Sequence, residues 1–289
     1  VRYWSALLFK ELFSYIGWSL IGNLAWTFNS QGMNILINMF FGPVFNATRG
    51  IASSVESAVS SFLYNFITPA VPPIIKAYAA GDIDEMIRLS LRSSKLGFLL
   101  FMCLSLPLIS VMNPILKLWL IAPPPQSWTF CLLSLIYIQC NSLGGTLQNM
   151  VQATGKVKRY QLSNGIVKIM ALPIVYIIYK CGGDVVAYLW TLILTSIVGL
   201  MVQLDAVRRL IDSFKISDYL KKVIMPALTA YLLPFLLSFY FSCMEMESLK
   251  MMETVAIMVV ICLFSVWFIG FTGHERSWIL NIAKSKLYR

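Results

Sequence analysis

The sequence predicts an all-α integral membrane protein with about eight transmembrane helices. Three observations carry that prediction. Of the 289 residues, 58% are hydrophobic and only 12% are charged, against roughly 25% charged in a soluble domain. Mean hydropathy is +0.74. Apolar runs long enough to cross a bilayer recur along the chain with short loops between them. The spans fall at roughly 14–38, 50–75, 96–112, 128–149, 161–180, 185–204, 222–243 and 252–272.

The chain opens on Val1 rather than Met, which reads as a processed or truncated piece of something longer. Residues 1–13 do not read as a signal peptide, because Glu11 interrupts them and no small-residue cleavage site follows. The first span carries Asn23, Thr27, Gln31, Asn34 and Asn38 at steps of three or four, which places them on one helical face. The stretch Gly42 to Gly50 reads as the turn to the second span. There Arg49, Ser53, Glu56, Ser60 and Tyr64 share a face.

Polar groups in hydrocarbon require partners: a neighbouring helix, a water-filled cavity or a substrate. The amide stripe has more members than one helix contact requires and favours a wet cavity. Glu56 is the acidic residue that lies well inside a span, and an intramembrane ionisable residue is a functional candidate. Arg49 either meets an anionic headgroup, with Glu56 tuning it or carrying a coupling proton, or belongs to a structural pair. It also lies close enough to the outer interface to snorkel. Ser53, Ser57 and Ser61 have small-xxx-small spacing, which favours close helix packing.

Pro69, Pro72 and Pro73 are placed to distort the second span near its end. Gly81 closes that helix, and Asp82 caps an amphipathic cytoplasmic helix that precedes the third span. Pro107 and Pro114 punctuate the third span, and Pro123-Pro124-Pro125 form a stiff outer turn. Gln139, Asn141, Gln148 and Asn149 put amides on the fourth. Lys168 lies about two turns into the fifth span near Asn164, where it snorkels or lines a phosphate-binding cavity. Pro173 sits inside the fifth span, and Pro226 and Pro234 inside the seventh. The 205–221 loop, with Ile211, Phe214, Ile216 and Tyr219, reads as an interfacial segment.

Eight spans put both ends on one side. The loops on that side hold 18 of the 23 basic residues, which makes it cytoplasmic. The same distribution accounts for the net charge of +10 without nucleic acid. The six cysteines show no paired spacing, and His274 is the only histidine. No disulfide framework, metal site or cofactor is indicated. No Walker loop, nucleophile elbow or paired-carboxylate site appears, so the chain does not read as an enzyme.

Several segments resemble one family. Phe41-Gly42-Pro43-Val44-Phe45-Asn46-Ala47-Thr48-Arg49-Gly50-Ile51-Ala52 is similar to a segment of bacterial O-antigen and capsule repeat-unit flippases. These belong to the multidrug/oligosaccharidyl-lipid/polysaccharide exporter superfamily. Asn65-Phe66 with Pro69, Pro73 and Lys76–Gly81, Ile115–Leu120, and Gln152–Lys156 resemble the same family in order and spacing. The likeness runs from about residue 9 to 222.

The resemblance implies a fold with two six-helix lobes around a central cavity, often followed by two extra helices. It implies translocation of an undecaprenyl-pyrophosphate-linked oligosaccharide across the bacterial cytoplasmic membrane by alternating access. On that basis residues 1–204 look like the second lobe, and residues 205–289 like an interfacial segment plus the extra pair. The first lobe would then lie upstream or on another chain, because half a cavity cannot alternate access alone. The resemblance does not assign the family's basic cavity residues to Arg49 or Lys168. The competing readings are a cation-coupled drug or metabolite exporter of the same fold, and a non-transporting subunit of a polysaccharide assembly complex.

Overall fold

The computed structural model describes residues 6–244, 248–273 and 275–277, and every regular element among them is helical. Among the described residues seven helices are long and apolar enough to cross a membrane, beginning at Pro43, Ile83, Ser127, Lys158, Ala187, Ile216 and Lys250. They match seven of the eight predicted spans. The predicted first span forms as helix α1 (Ala6–Phe41), and its length of about 54 Å is ample for a crossing. It is not among the seven, and its amides are what lower its mean hydropathy.

The turn after α1 is tighter than the sequence suggested. Gly42 alone makes it, with φ +83, and Pro43 starts α2 (Pro43–Ile67) at its first position. Only glycine adopts that φ without strain, and proline is pre-set for the first helical turn. Residues 43–50 are therefore helix, and Arg49 lies inside α2 rather than in a turn. The prolines act as expected: a 3-10 turn at Thr68–Ala70 interrupts the helix before α3 (Val71–Ala79).

Gly81 ends α3 with φ +78, and the Asp82 side chain accepts the Glu85 N–H at 3.0 Å. The helix that follows is α4 (Ile83–Ser110), which merges the predicted amphipathic helix and the third span. After α5 (Met112–Leu120) and the proline turn, Thr48 at the start of α2 donates to the Pro125 carbonyl.

The fourth span is broken into α6 (Ser127–Ser142) and α7 (Gly145–Ala153) at Leu143 and Gly144. The hydroxyl of Tyr219 donates to the Leu143 carbonyl that this break releases. Tyr219 belongs to the short α10 (Ile216–Tyr219) and is fully buried with Ile211 and Phe214 nearby in the core. These side chains, predicted at the membrane interface, are buried instead, and Tyr219 supplies a donor to the carbonyl freed at the break in the fourth span.

Helices α8 (Lys158–Lys180) and α9 (Ala187–Leu210) follow, then a π turn at Leu220–Ile224, α11 (Met225–Cys243) and α12 (Ser248–Ser265). The core is built around α4. Ser238 on α11 donates to the Leu106 carbonyl at 2.6 Å, and Gln139 on α6 donates to the Phe98 carbonyl at 2.9 Å. Ser265 on α12 donates to the Ala230 carbonyl at 2.6 Å. Such bonds, together with close packing, hold helices together where lipid removes the hydrophobic drive.

Buried Lys95 on α4 forms an ion pair with Glu275 beyond α12. Glu275 also accepts from the Thr272 N–H at 2.8 Å, which is the reach of a capping box. The same carboxylate thus caps a helical turn and neutralises the lysine.

Helix α1 runs parallel to α8 and packs along it. Trp18 lies beneath Lys158, Gly32 faces Leu172, and Phe40 meets Tyr176 and Tyr179. A Cβ at Gly32 would sit 2.6 Å from Leu172, so the glycine permits the close approach.

Candidate functional site: a polar cavity between four helices

One face of α1 is buried at steps of four: Ala25, Asn29, Met33 and Ile37. Asn29 is the polar member of that stripe. It is 8% exposed, and its Oδ1 has no hydrogen-bond partner. It helps to line a cavity of about 200 Å³ between α1, α2, α6 and α9. Arg49, Ser53, Glu56 and Ser57 of α2 contribute one wall, and Ser134, Tyr137 and Tyr188 another. Met33, Leu189 and Leu192 make the apolar part, and Trp26 stands at the rim.

Arg49 is held on three sides. Its Nη1 donates to Asn34 Oδ1, and its Nη2 donates to the Ser30 carbonyl at 3.1 Å. The guanidinium lies over the Tyr188 ring, 5.7 Å from its centroid, within cation–π range. Arg49 starts about 10 Å along α2 from the Gly42 turn, whereas Ser30 lies about 18 Å along α1. The side chain therefore points into the bundle instead of snorkelling back to the turn. Asn34 in turn donates to Gln31 Oε1 at 3.2 Å. This relay sets the amides in order: Asn34 turns its oxygen to Arg49 and its N–H to Gln31, and the exposed Gln31 keeps its amide donors for outside partners.

Glu56 lies half-buried in the same cavity, two turns along from Arg49. It makes no hydrogen bond or ion pair among the described residues, unlike Glu85, Glu275, Asp205 and Asp218, each of which is paired with a basic side chain. The two charges share one cavity without closing on each other. An arginine fork beside serine hydroxyls and amides suits a phosphate and sugar hydroxyls, and a free carboxylate suits a cation or proton.

The structure thus brings Arg49, Ser53, Glu56 and Asn34 together, with Gln31 joined through Asn34. It leaves Asn23, Thr27 and Asn38 exposed outside the cavity, and Thr27 donates to the Asn23 carbonyl of its own helix at 3.1 Å. Lys168 is half-buried on α8 and does not line this cavity either. The serine ridge differs from expectation: Ser53, Ser57 and Ser61 are exposed, and Ser53 and Ser57 line the cavity instead of packing closely against another helix.

Asn29, Tyr137 and Tyr188 are additions to the predicted set. A signal for Asn29 exists, a lone amide interrupting an apolar Ala25-Met33-Ile37 register. None exists for Tyr137 and Tyr188, which reach the site only through tertiary packing. Comparison with family models, with curated proteins and with solved structures finds no match.

Proposed function

We propose that the chain is one lobe of a polysaccharide exporter that translocates a lipid-linked, pyrophosphate-bearing oligosaccharide across a bacterial cytoplasmic membrane. The observation that carries the reading is the cavity itself. An arginine, a carboxylate with no bonded partner, four serines and a buried amide with an open acceptor gather inside a bundle of apolar helices. Arg49 suits the pyrophosphate, and Ser53, Ser57, Asn29 and the amides suit the sugars, while the lipid tail remains in the bilayer.

The reading treats α1 as an eighth crossing. Parallel packing along α8 supports this, since alternate crossings from α1 through α2, α4 and α6 return to the same direction at α8. Both ends then lie on the cytoplasmic side with the basic loops. The open α1–α2 face meets the other lobe, supplied by the same or another chain.

Unpaired Glu56 favours one second reading, a cation-coupled exporter of a smaller solute through the same cavity. A leaflet assay separates the two. In cells lacking the gene, the flippase reading expects lipid-linked oligosaccharide to accumulate in the inner leaflet and to return to the outer leaflet when the gene is restored. Normal outer-leaflet delivery in those cells would reject it, and loss of solute efflux would then favour the second reading.

A further inference from the structure

A second cavity, about 1180 Å³, opens where the first turns of α1 meet the first turns of α8 and the last residue of α9. Lys10, Lys156, Lys158 and Arg159 line it, with the aromatic wall of Tyr15 and Trp18, and no acidic residue lines it among the described side chains. The Lys158 ammonium lies over the Trp18 ring, 4.8 Å from its centroid. Among the described residues none of the four basic groups is paired with a carboxylate. The acid in an adjoining groove, Asp205, is bonded to Arg209 at 2.7 Å. Four like charges around one cavity give it a positive potential that favours an anion among them.

The backbone supports the same ligand. Gly155 turns the chain with φ +71 into α8, whose N-cap residue Val157 makes no side-chain capping bond, and that helix N-terminus, favourable to an anion, borders the cavity. The volume far exceeds a simple inorganic anion. The aromatic and aliphatic walls, including Leu12, Leu162 and Leu210, suit an amphiphile whose head is anionic.

We propose that this cavity binds a net-anionic phosphate monoester or pyrophosphate group, presented by a lipid headgroup or free in solution. It is separate from the polar cavity around Arg49 and needs no transport cycle to operate. Lys156, Lys158 and Arg159 hold the phosphate oxygens with the open end of α8, and Trp18 positions Lys158.

The test is calorimetric titration of the purified full chain in a neutral detergent. The probes are short-chain phosphatidic acid, inorganic pyrophosphate and, as a net-neutral control, phosphatidylcholine. Removing one basic contact weakens binding about fivefold, so the triple substitution Lys156→Gln, Lys158→Gln, Arg159→Gln is expected to lower affinity on the order of a hundredfold. A charge-matched control, Lys76→Gln, Lys215→Gln, Lys221→Gln, is expected to leave it nearly unchanged. All six side chains are exposed, and Lys156→Gln alone, with an expected fall of about fivefold, repeats the test with minimal disturbance.

Competition by pyrophosphate assigns the site to the free group as well, and binding of phosphatidic acid alone assigns it to a lipid headgroup. Equal losses in both triple variants would reduce the effect to diffuse surface charge and overturn the proposal. So would failure of both anions to bind, or equal binding of phosphatidylcholine.

Discussion

The hairpin of α1 and α2 and the cluster around α4 use the same residue types in opposite ways. In α4, 67% of the most apolar stretch is buried within the chain, against 6% in that of the segment from Pro43 to Ala79, which holds α2 and α3. Serines near α4 bond across helices, as Ser238 does to Leu106 and Ser265 to Ala230. Serines on α2 bond back to their own helix, Ser54 to Gly50 and Ser61 to Ser57. One region closes on itself. The other keeps its polar groups and its apolar rings, including Phe28, Phe62 and Phe66, on an open face. The polar cavity sits along that open face.

The comparison breaks most readily at the Lys95–Glu275 pair. Glu275→Gln leaves a buried ammonium without its counter-charge and is expected to destabilise the chain by about 3 kcal/mol, read as thermal unfolding in detergent. The effect depends on pH in a defined direction. Burial pushes the Glu275 carboxyl up, but the bonds from Lys95 and Thr272 outweigh it and hold it below the usual carboxylate range. Its stabilisation is therefore fully present above that range and fades as pH falls through the lowered value. The wild-type chain should lose stability over that acid window, and the Glu275→Gln variant should show a flatter profile.

Tyr219→Phe comes next. It leaves the Leu143 carbonyl without its donor at the break in the fourth span, at an expected cost of about 1–2 kcal/mol. The paired serines sharpen the contrast further. Ser238→Ala should cost about 1 kcal/mol and Ser61→Ala close to nothing, because only the first bond joins two helices. Phe66→Leu, on the open face, should change stability by less than about 0.5 kcal/mol. A large loss there would mean that the hairpin is part of the closed core.

Much of this was legible in the sequence, for physical reasons that also show where legibility stopped. Apolar runs report crossings because each crossing must satisfy its own backbone. Gly81 and Asp82 mark a helix end and start because few residues fit those positions. Arg49 and Glu56 stand out because charge in hydrocarbon is costly. The stripe from Asn23 to Asn38 misled in part. Helical spacing shows which residues share a face, but not which face is buried. The buried register was Ala25, Asn29, Met33 and Ile37, and it carries the amide with an open acceptor. Lys95 read as one more basic loop residue because its partner, Glu275, lies far along the chain and meets it only after folding.

On the proposed function, the cavity around Arg49 and Glu56 is wet and takes the transported solute. The most direct test is thiol labelling of Ser53→Cys in the full protein with the six native cysteines replaced, using a charged, water-soluble reagent. We expect rapid labelling that slows when lipid-linked oligosaccharide is supplied, and we expect that protection to be lost in Arg49→Ala. Failure to label would make the cavity a dry packing seam, and labelling indifferent to the oligosaccharide would remove it from the substrate's path.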